Sequence, residues 1–278
     1  MIKSILVPTD GSPNGKIALE YGLYLASEFE AEISGLNILD IRALEGPFLG
    51  DISGALGFTP YQNYVQKIQE ILEERGNIIL NDFKKLCEEK SIQPKIKRLS
   101  GIIPNIIAEE AKKVDLIVMA QRGEHAQWSS GLLGSTTESV VRKSPRPVLV
   151  TSMAFHPFNT VLHACDGSSE SNKALKLACE LVYSMKLKLN VIIVVNNEEK
   201  GRKILTETEE FIAPYQLDAH IEWIKGESAK EILKYAENNN VDLIVMGTFG
   251  HGRIHELILG GTTAYVIRKS TIPVLLNR

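Results

Sequence analysis

Four glycines near the end of the sequence have a spacing that could serve ligand binding. Gly247 and Gly250 form a G-x-x-G turn, and after nine further residues Gly260 and Gly261 precede a run with helical periodicity. Glycine lets the backbone approach a ligand closely and adopt positive φ angles. The N–H groups at a helix N-terminus attract anions. The pattern therefore predicts a cradle for a phosphate group, with a helix that begins near Thr262.

An aspartate completes this candidate site. Asp166 follows the apolar run Val161–Ala164 and is expected at the end of a strand, where its carboxylate could accept hydrogen bonds from ribose hydroxyls. Asp-Gly-Ser is also common as a turn followed by a helix N-cap, and this interpretation stays open. Cys165 beside it is either a redox-sensitive thiol or an inert small residue, and the inert interpretation is favoured.

The chain contains an internal repeat, which supplies a second copy of these residues. Four short sequences occur twice in the same order, and this indicates a duplication. The first half holds about 29 extra residues between its first two signatures, which predicts an insertion at residues 41–90. The repeated sequences are VDLIVM at 114–119 and 241–246, Asp-Gly-Ser at 10–12 and 166–168, Gly-x-Thr-Thr at 134–137 and 260–263, and Arg-Lys-Ser at 142–144 and 268–270.

The first half keeps the glycine pattern with departures. Ala120 stands where the second half has Gly247, and ten residues rather than nine separate Gly123 from Gly134. Ser135 follows Gly134, whereas the second half has a further glycine there and lacks that hydroxyl. Because the methyl group of Ala120 would crowd a ribose, we expect the second half to be the better site.

Apolar strands alternate with helical patterns in both halves, which is typical of a parallel sheet covered on both faces. We predict an α/β protein of two tandem Rossmann-like domains, residues 1–152 and 158–278, each with five parallel strands. Ligands in such folds bind beyond the carboxyl ends of the strands. The predicted strands are 4–8, 33–39, 94–99, 116–120, 147–150, 161–164, 191–195, 221–225, 243–246 and 273–276. The first predicted helix opens at Ser12 and Pro13. The other predicted helices span 61–90, 104–113, 135–143, 171–183, 229–238 and 262–269.

Over essentially its whole length, the chain resembles the universal stress protein family in its tandem form. The resemblance rests on Leu6–Ser12 and on a G-x2-G-x9-G-(S/T) pattern after Val-Met. It implies a HUP-type fold that binds ATP or AMP, with Mg²⁺ accompanying the phosphates, and it places the ends of the second strands at the adenine. The nucleotide-binding residues implied are Thr9, Asp10, Ile38, Met119, Gly123, Gly134, Ser135 and Thr136, and Cys165, Asp166, Val195, Met246, Gly247, Gly250, Gly260, Gly261 and Thr262.

The resemblance favours a stress-response sensor or regulator whose bound nucleotide changes a surface read by a partner protein or a second copy. It also implies pseudo-twofold packing of the halves through Val148–Val150 and Val274–Leu276. No Walker A sequence is present, so at most slow ATP hydrolysis is expected, and no catalytic or metal-ligating residue is predicted. Two alternatives stay open: an interaction scaffold that binds no nucleotide, and a nucleotide hydrolase.

Composition excludes several classes of protein. The net charge is −3, without the basic bias typical of nucleic-acid binding. The longest apolar runs, such as Val191–Val195, are far shorter than the roughly 20 residues of a membrane span. The three cysteines form no C-x-x-C pair, which argues against a disulfide framework or a zinc site. We therefore expect a cytoplasmic protein.

Several other residues carry weaker hypotheses. Arg122, Glu124 and His125 could supply a phosphate-binding arginine and a general base, although a solvated loop is the favoured interpretation. His163 lies in an apolar strand and is expected to be a core histidine with satisfied hydrogen bonds. The loop 41–60 carries many apolar side chains between glycines, which favours a lid, a partner contact or a packed Ω-loop.

Overall fold

Each half of the chain contributes five parallel strands to one mostly parallel sheet with helices on both faces, as predicted. The computed structural model describes residues 2–43, 61–123, 133–248 and 259–278. The strands are β1 (Ser4–Pro8), β2 (Glu32–Asp40), β3 (Lys95–Gly101), β4 (Leu116–Ala120), β5 (Val148–Thr151), β6 (Thr160–Cys165), β7 (Lys188–Val194), β8 (Ala219–Ile224), β9 (Leu243–Gly247) and β10 (Val274–Asn277). The helices are α1 (Pro13–Phe29), α2 (Tyr61–Glu89), α3 (Ile103–Ala111), α4 (Ser135–Lys143), α5 (Ser169–Met185), α6 (Glu198–Ile212), α7 (Ser228–Asn238) and α8 (Gly261–Lys269).

The strand order is β3-β2-β1-β4-β5-β10-β9-β6-β7-β8, and it makes one sheet of ten strands. The two halves join where β5 and β10 run antiparallel, with Val150 opposite Val274 and Val148 opposite Leu276. This confirms the predicted contact between the terminal strands. In each half the order reverses at the first strand, because β1 lies between β2 and β4 and β6 lies between β7 and β9. Such a reversal opens a crevice at the carboxyl ends of the strands.

Successive residues of β1 enter two different apolar cores, as the two-residue period of a strand requires. Ile5 and Val7 belong to the cluster that includes residues of α1 and α5. Leu6 belongs to the cluster on the other face. Both clusters contain residues of both halves, so the packing is continuous across the β5–β10 junction. The strand ends that carry the candidate sites are therefore held by a common core.

The first helix of each half begins in the same way. Ser12 caps α1 by accepting the Gly15 N–H at 3.1 Å, and Ser168 caps α5 by accepting the Ser171 N–H at 3.2 Å. The preceding glycine has a φ of +77° in both halves, a conformation that side chains rarely tolerate. Asp-Gly-Ser is therefore a turn and a helix cap, whatever else its aspartate does.

One helix is missing from the sequence prediction. The pattern predicts no helix between β7 and β8, and this is wrong, because α6 spans Glu198–Ile212. Asn197 caps it by accepting the Lys200 N–H at 2.8 Å. The helix is mainly polar, and its buried stripe is narrow and includes a glycine and a threonine, so few apolar residues mark it in the sequence. The buried residues of α6 are Gly201, Ile204, Thr208 and Ile212.

The helix α2 matches its predicted span and covers β2 and β3, as α6 covers β7 and β8. Within the described ranges, no helix has both the length and the apolar character that crossing a bilayer requires.

Candidate functional site

In the first half, the end of β1 and the loop after β4 meet at Asp10. A Cβ atom built on Gly123 would lie 2.6 Å from Oδ2 of Asp10, so only glycine fits without a shift. The other carboxylate oxygen, Oδ1, accepts the Ser12 N–H at 3.0 Å. Asn14 holds the same loop, because its Nδ2 donates to the Arg122 carbonyl at 3.2 Å. The structure thus brings together Asp10 and Gly123, as the sequence predicts.

Thr9, the residue before Asp10, is hydrogen-bonded to β2. Its N–H donates to the Leu36 carbonyl at 2.9 Å, and its own carbonyl accepts from Nδ2 of Asn37 at 2.9 Å. Asn37 is 8% exposed, so its amide is committed to this role. The sequence analysis missed Asn37, because a single amide within an apolar strand has no pattern that marks it.

The start of α4 is held against the end of β4. The Gly134 N–H donates to the Gln121 carbonyl at 3.1 Å, and Oγ1 of Thr137 donates to the carbonyl of the last strand residue at 2.9 Å. Ser135 and Thr136 therefore form the first turn of the helix beside that strand end. The N–H groups of a first helical turn have no acceptor within the helix, so they are available to an anion.

The second half repeats this geometry. The Gly260 N–H donates to the Thr248 carbonyl at 3.3 Å, and Oγ1 of Thr263 donates to the Gly247 carbonyl at 3.1 Å. Oδ1 of Asp166 accepts the N–H two residues further along at 2.9 Å. Gly261 and Thr262 lie in the first turn of α8. Both halves therefore present a first-strand aspartate and a helix N-terminus at the same edge.

The glycine at the end of β9 serves the packing of the strand on a helix. A Cβ on Gly247 would lie 3.1 Å from backbone atoms of Glu170 and Ser171, at the start of α5. In the first half the matching helix position is Gly15, and Ala120 packs against the core cluster that contains α1. The methyl group of Ala120 therefore faces the helix, and the expectation that it crowds a ribose is not supported.

The register of the sheet shows which residue of the second half matches Ile38. The offset of 156 positions that relates the two Asp-Gly-Ser signatures relates Ile38 to Val194. Ile38 pairs with Leu99, and Val194 pairs in the same way with Ile224. The match of Ile38 in the second half is therefore Val194, whereas the prediction named Val195, the last residue of the apolar run.

Three of the predicted residues direct their side chains into the core. Met119 and Met246 are each 5% exposed and belong to one apolar cluster, and Cys165 belongs to the other. Sγ of Cys165 lies 3.7 Å from Oγ1 of Thr208, and burial raises the pKa of its thiol. Cys165 is therefore uncharged at neutral pH, which supports the inert interpretation. Only the backbone of these residues can reach a ligand.

A buried polar pair lies behind the second site. His163 is fully buried, and its Nδ1 lies 3.1 Å from the Val245 carbonyl, so Nδ1 carries the proton and donates. Nε2 then accepts from Oγ of Ser171 at 3.4 Å. Burial lowers the pKa of His163 to about 4, so the ring is neutral at pH 7. The prediction of a satisfied core histidine is confirmed.

Comparison with known proteins decides the family. The model of the universal stress protein family matches residues 1–152 and 157–278. The chain belongs to this family. It is 29% identical to universal stress protein Slr1230 of Synechocystis sp. over 287 aligned residues that cover 100% of both proteins. It is 34% identical to universal stress protein MJ0531 of Methanocaldococcus jannaschii, over 54% of this chain and 82% of that protein.

A solved structure shows the same tandem arrangement. The crystal structure of a universal stress protein from Archaeoglobus fulgidus DSM 4304 matches with a TM-score of 0.77 and 26% identity. The match covers 99% of this chain and 98% of that one.

Some residues of this universal stress protein that the sequence singled out lie outside the described residues: Gly250, Glu124 and His125, and most of the loop 41–60. Arg122 is described, and its Nε is buried without a hydrogen-bond partner in the part of the chain that the structure covers. Across the same ranges, no group of three or more His, Cys, Asp or Glu side chains is arranged to hold a metal ion.

Proposed function

We propose that this universal stress protein binds an adenine nucleotide, ATP or AMP, and acts in the cytoplasm as a sensor or regulator. One observation carries the proposal. In each half, an aspartate at the end of the first strand and a helix N-terminus lie at one edge, and hydrogen bonds tie that helix start to the end of the fourth strand. A carboxylate suits ribose hydroxyls, and a helix N-terminus suits phosphate.

Each part of the nucleotide would have its own partner. Asp10 or Asp166 accepts the ribose hydroxyls, and the first turns of α4 and α8 donate N–H groups to the phosphates. Mg²⁺ would bind with ATP through its phosphate oxygens and water rather than through a protein cage. The adenine would lie beside Ile38 or Val194, which occupy matching places at the ends of β2 and β7.

We assign a site to both halves. The sequence ranked the second half higher because of the Ala120 methyl group, but that methyl packs toward α1. The first half also keeps the Ser135 hydroxyl, which the second half lacks. A bound nucleotide would join the first-strand turn to the start of the last helix in each half. The resulting change at this edge is what a partner protein or a second copy would recognise.

The test is to denature the purified protein and quantify released nucleotide per chain by liquid chromatography and mass spectrometry. If the protein is empty, ATP and AMP are added and binding is measured by calorimetry. We expect about two nucleotides per chain in the saturated protein. Asp10→Asn and Asp166→Asn should each remove about one.

The matched control is Asp115→Asn, because Asp115 accepts the Lys3 and Ser4 N–H groups at the start of β1, at the opposite edge of the sheet. It should leave the stoichiometry unchanged. A protein that is empty and binds neither ATP nor AMP would refute the proposal and favour the scaffold. Rapid ATP turnover that Asp166→Asn abolishes would favour the hydrolase.

A further inference from the structure

In the first half, the segment between β5 and β6 packs on a face of α1. The Tyr21 hydroxyl donates to the Ala154 carbonyl at 3.0 Å, and the Tyr24 hydroxyl accepts the Phe158 N–H at 3.2 Å. Phe155 lies edge-on to Tyr21 with 4.9 Å between ring centroids, and Phe158 stacks on Tyr21 at 5.7 Å. This face of α1 therefore binds a peptide segment through aromatic contacts and backbone hydrogen bonds.

The second half has the same helix with a different surface. α1 and α5 each have 17 residues and begin after equivalent caps. The offset of 156 positions relates Tyr21 to Leu177 and Tyr24 to Glu180. An open groove of about 320 Å³ lies on this face of α5. Its lining residues are Lys173, Lys176, Leu177, Glu180 and Asn277.

The groove lies where the peptide segment lies in the first half. Asn277, which ends β10, lines the groove, and the equivalent residue Thr151 ends β5 just before that segment. The half-buried Leu177 gives the groove an apolar wall. Glu180 stands where the first half has Tyr24, and it is paired with Lys176.

The charge of the groove differs from that of its counterpart. Lys173 and Lys176 stand where the first half has Ile17 and Glu20. Both lysines are exposed, and only Lys176 lies near a carboxylate in the groove, 4.0 Å from Glu180. The two exposed lysines favour an acidic ligand. The exposed ring of Tyr183, one turn further along α5, extends the surface.

We propose that this groove of α5 binds an extended peptide segment of a partner protein, with an aromatic side chain flanked by acidic residues. The segment between β5 and β6 is the template for its binding mode. The aromatic side chain would fill the space beside Leu177, and the flanking carboxylates would pair with Lys173 and Lys176. This surface does not depend on nucleotide binding, so the two proposals can fail separately.

The test selects peptides from a random 12-residue display library on the full chain, and the consensus peptide is then synthesised. We expect an aromatic residue with neighbouring Asp or Glu. The double variant Lys173→Glu/Lys176→Glu should weaken binding of that peptide at least tenfold by fluorescence polarisation. Leu177→Tyr, which restores the bulk present in the first half, should weaken it as well.

The matched control is Lys200→Glu/Lys203→Glu, which changes charge equally at exposed positions of α6. This variant should bind like the parent protein, and circular dichroism should show that all variants are folded. The proposal is overturned if no consensus emerges, if the consensus is basic, or if the groove variants bind as the control does. It is also overturned if ultracentrifugation shows that the groove variants abolish self-association, because the occupant is then a second copy.

Discussion

The two halves share one backbone frame but fill the space behind their candidate sites differently. In the second half a histidine and a serine form a buried polar pair, and the fourth strand ends in glycine. In the first half the same places carry only apolar or small residues. The three matched pairs are Val7 and His163, Gly15 and Ser171, and Ala120 and Gly247. The comparison teaches that the backbone of the candidate site can be preserved while the side chains packed behind it change.

The halves also differ beneath the helices α2 and α6, here with the polar side chains in the first half. Gly201 of α6 leaves room for the Trp223 ring, whose Nε1 donates to the Val195 carbonyl at 2.8 Å. Gly76 of α2 leaves room instead for the amide of Asn37 and the side chain of Arg98. The space beneath these helices is thus filled by an aromatic ring in the second half and by polar side chains in the first half.

The largest expected effect concerns acid stability and His163. Its folded-state pKa of about 4 lies below the usual 6.5. Between these two pH values the imidazole therefore binds a proton in the unfolded state but not in the folded state. Above about pH 6.5 the titration of His163 does not change the free energy of unfolding. As the pH falls toward 4, it lowers that free energy by up to about 3 kcal/mol. His163→Val/Ser171→Gly, which installs the residues of the first half, should remove this pH dependence.

Urea denaturation at about pH 7 and about pH 5 measures this difference. The paired substitution also removes the hydroxyl that would otherwise lose its partner. If parent and variant lose equal stability between these two pH values, the halves do not differ in acid response and the assignment to His163 is wrong.

The second largest expected effect concerns the glycines of α2 and α6 that pack on the sheet. Gly201→Ala would drive its methyl group into the Trp223 ring, which a hydrogen bond holds in place, so a loss of about 2 kcal/mol is expected. Gly76→Ala meets Oδ1 of Asn37 at 2.6 Å and the movable Arg98 side chain, and should cost only about 1 kcal/mol. Urea unfolding of the two variants checks the order, and equal losses would contradict it.

A third prediction separates the two sites. Gly123→Ala places a methyl group 2.6 Å from Oδ2 of Asp10, so nucleotide binding in the first half should weaken at least tenfold. Asp115→Asn is again the control, because Asp115 accepts backbone N–H groups at the opposite edge of the sheet. Calorimetry should show one tight site lost in the first variant and none in the second. Two unaltered sites in Gly123→Ala would remove the first half from the proposal.

The smallest expected effect concerns the first residue of α4 and of α8, at the proposed phosphate sites. Ser135→Gly should weaken the first site by about 1 kcal/mol, about fivefold, and Gly261→Ser should strengthen the second by a similar amount. Glu138 in the first turn of α4 opposes an anion there, and the first turn of α8 has no acidic residue. Calorimetric titration with ATP measures both changes, and changes of the same sign would exclude a shared role for this hydroxyl.

Much of the fold could be predicted from sequence, because buried parallel strands are continuous apolar runs and the duplication reveals their order. The β5–β10 contact was predicted from the family resemblance. α6 could not be predicted, since its buried stripe is narrow and its other residues are polar. The apolar run alone pointed to Val195, whereas the pairing of β7 with β8 makes Val194 the match of Ile38.

By itself, the sequence determined the tandem α/β architecture and the edge of the sheet at which a ligand would bind. Repeats, strand periods and helix caps are local signals, so they can be read along the chain. Only the tertiary structure decided which way the Ala120 methyl packs, what Asn37 holds, and that His163 meets Ser171. Those outcomes depend on contacts between segments far apart in sequence, which no local pattern encodes.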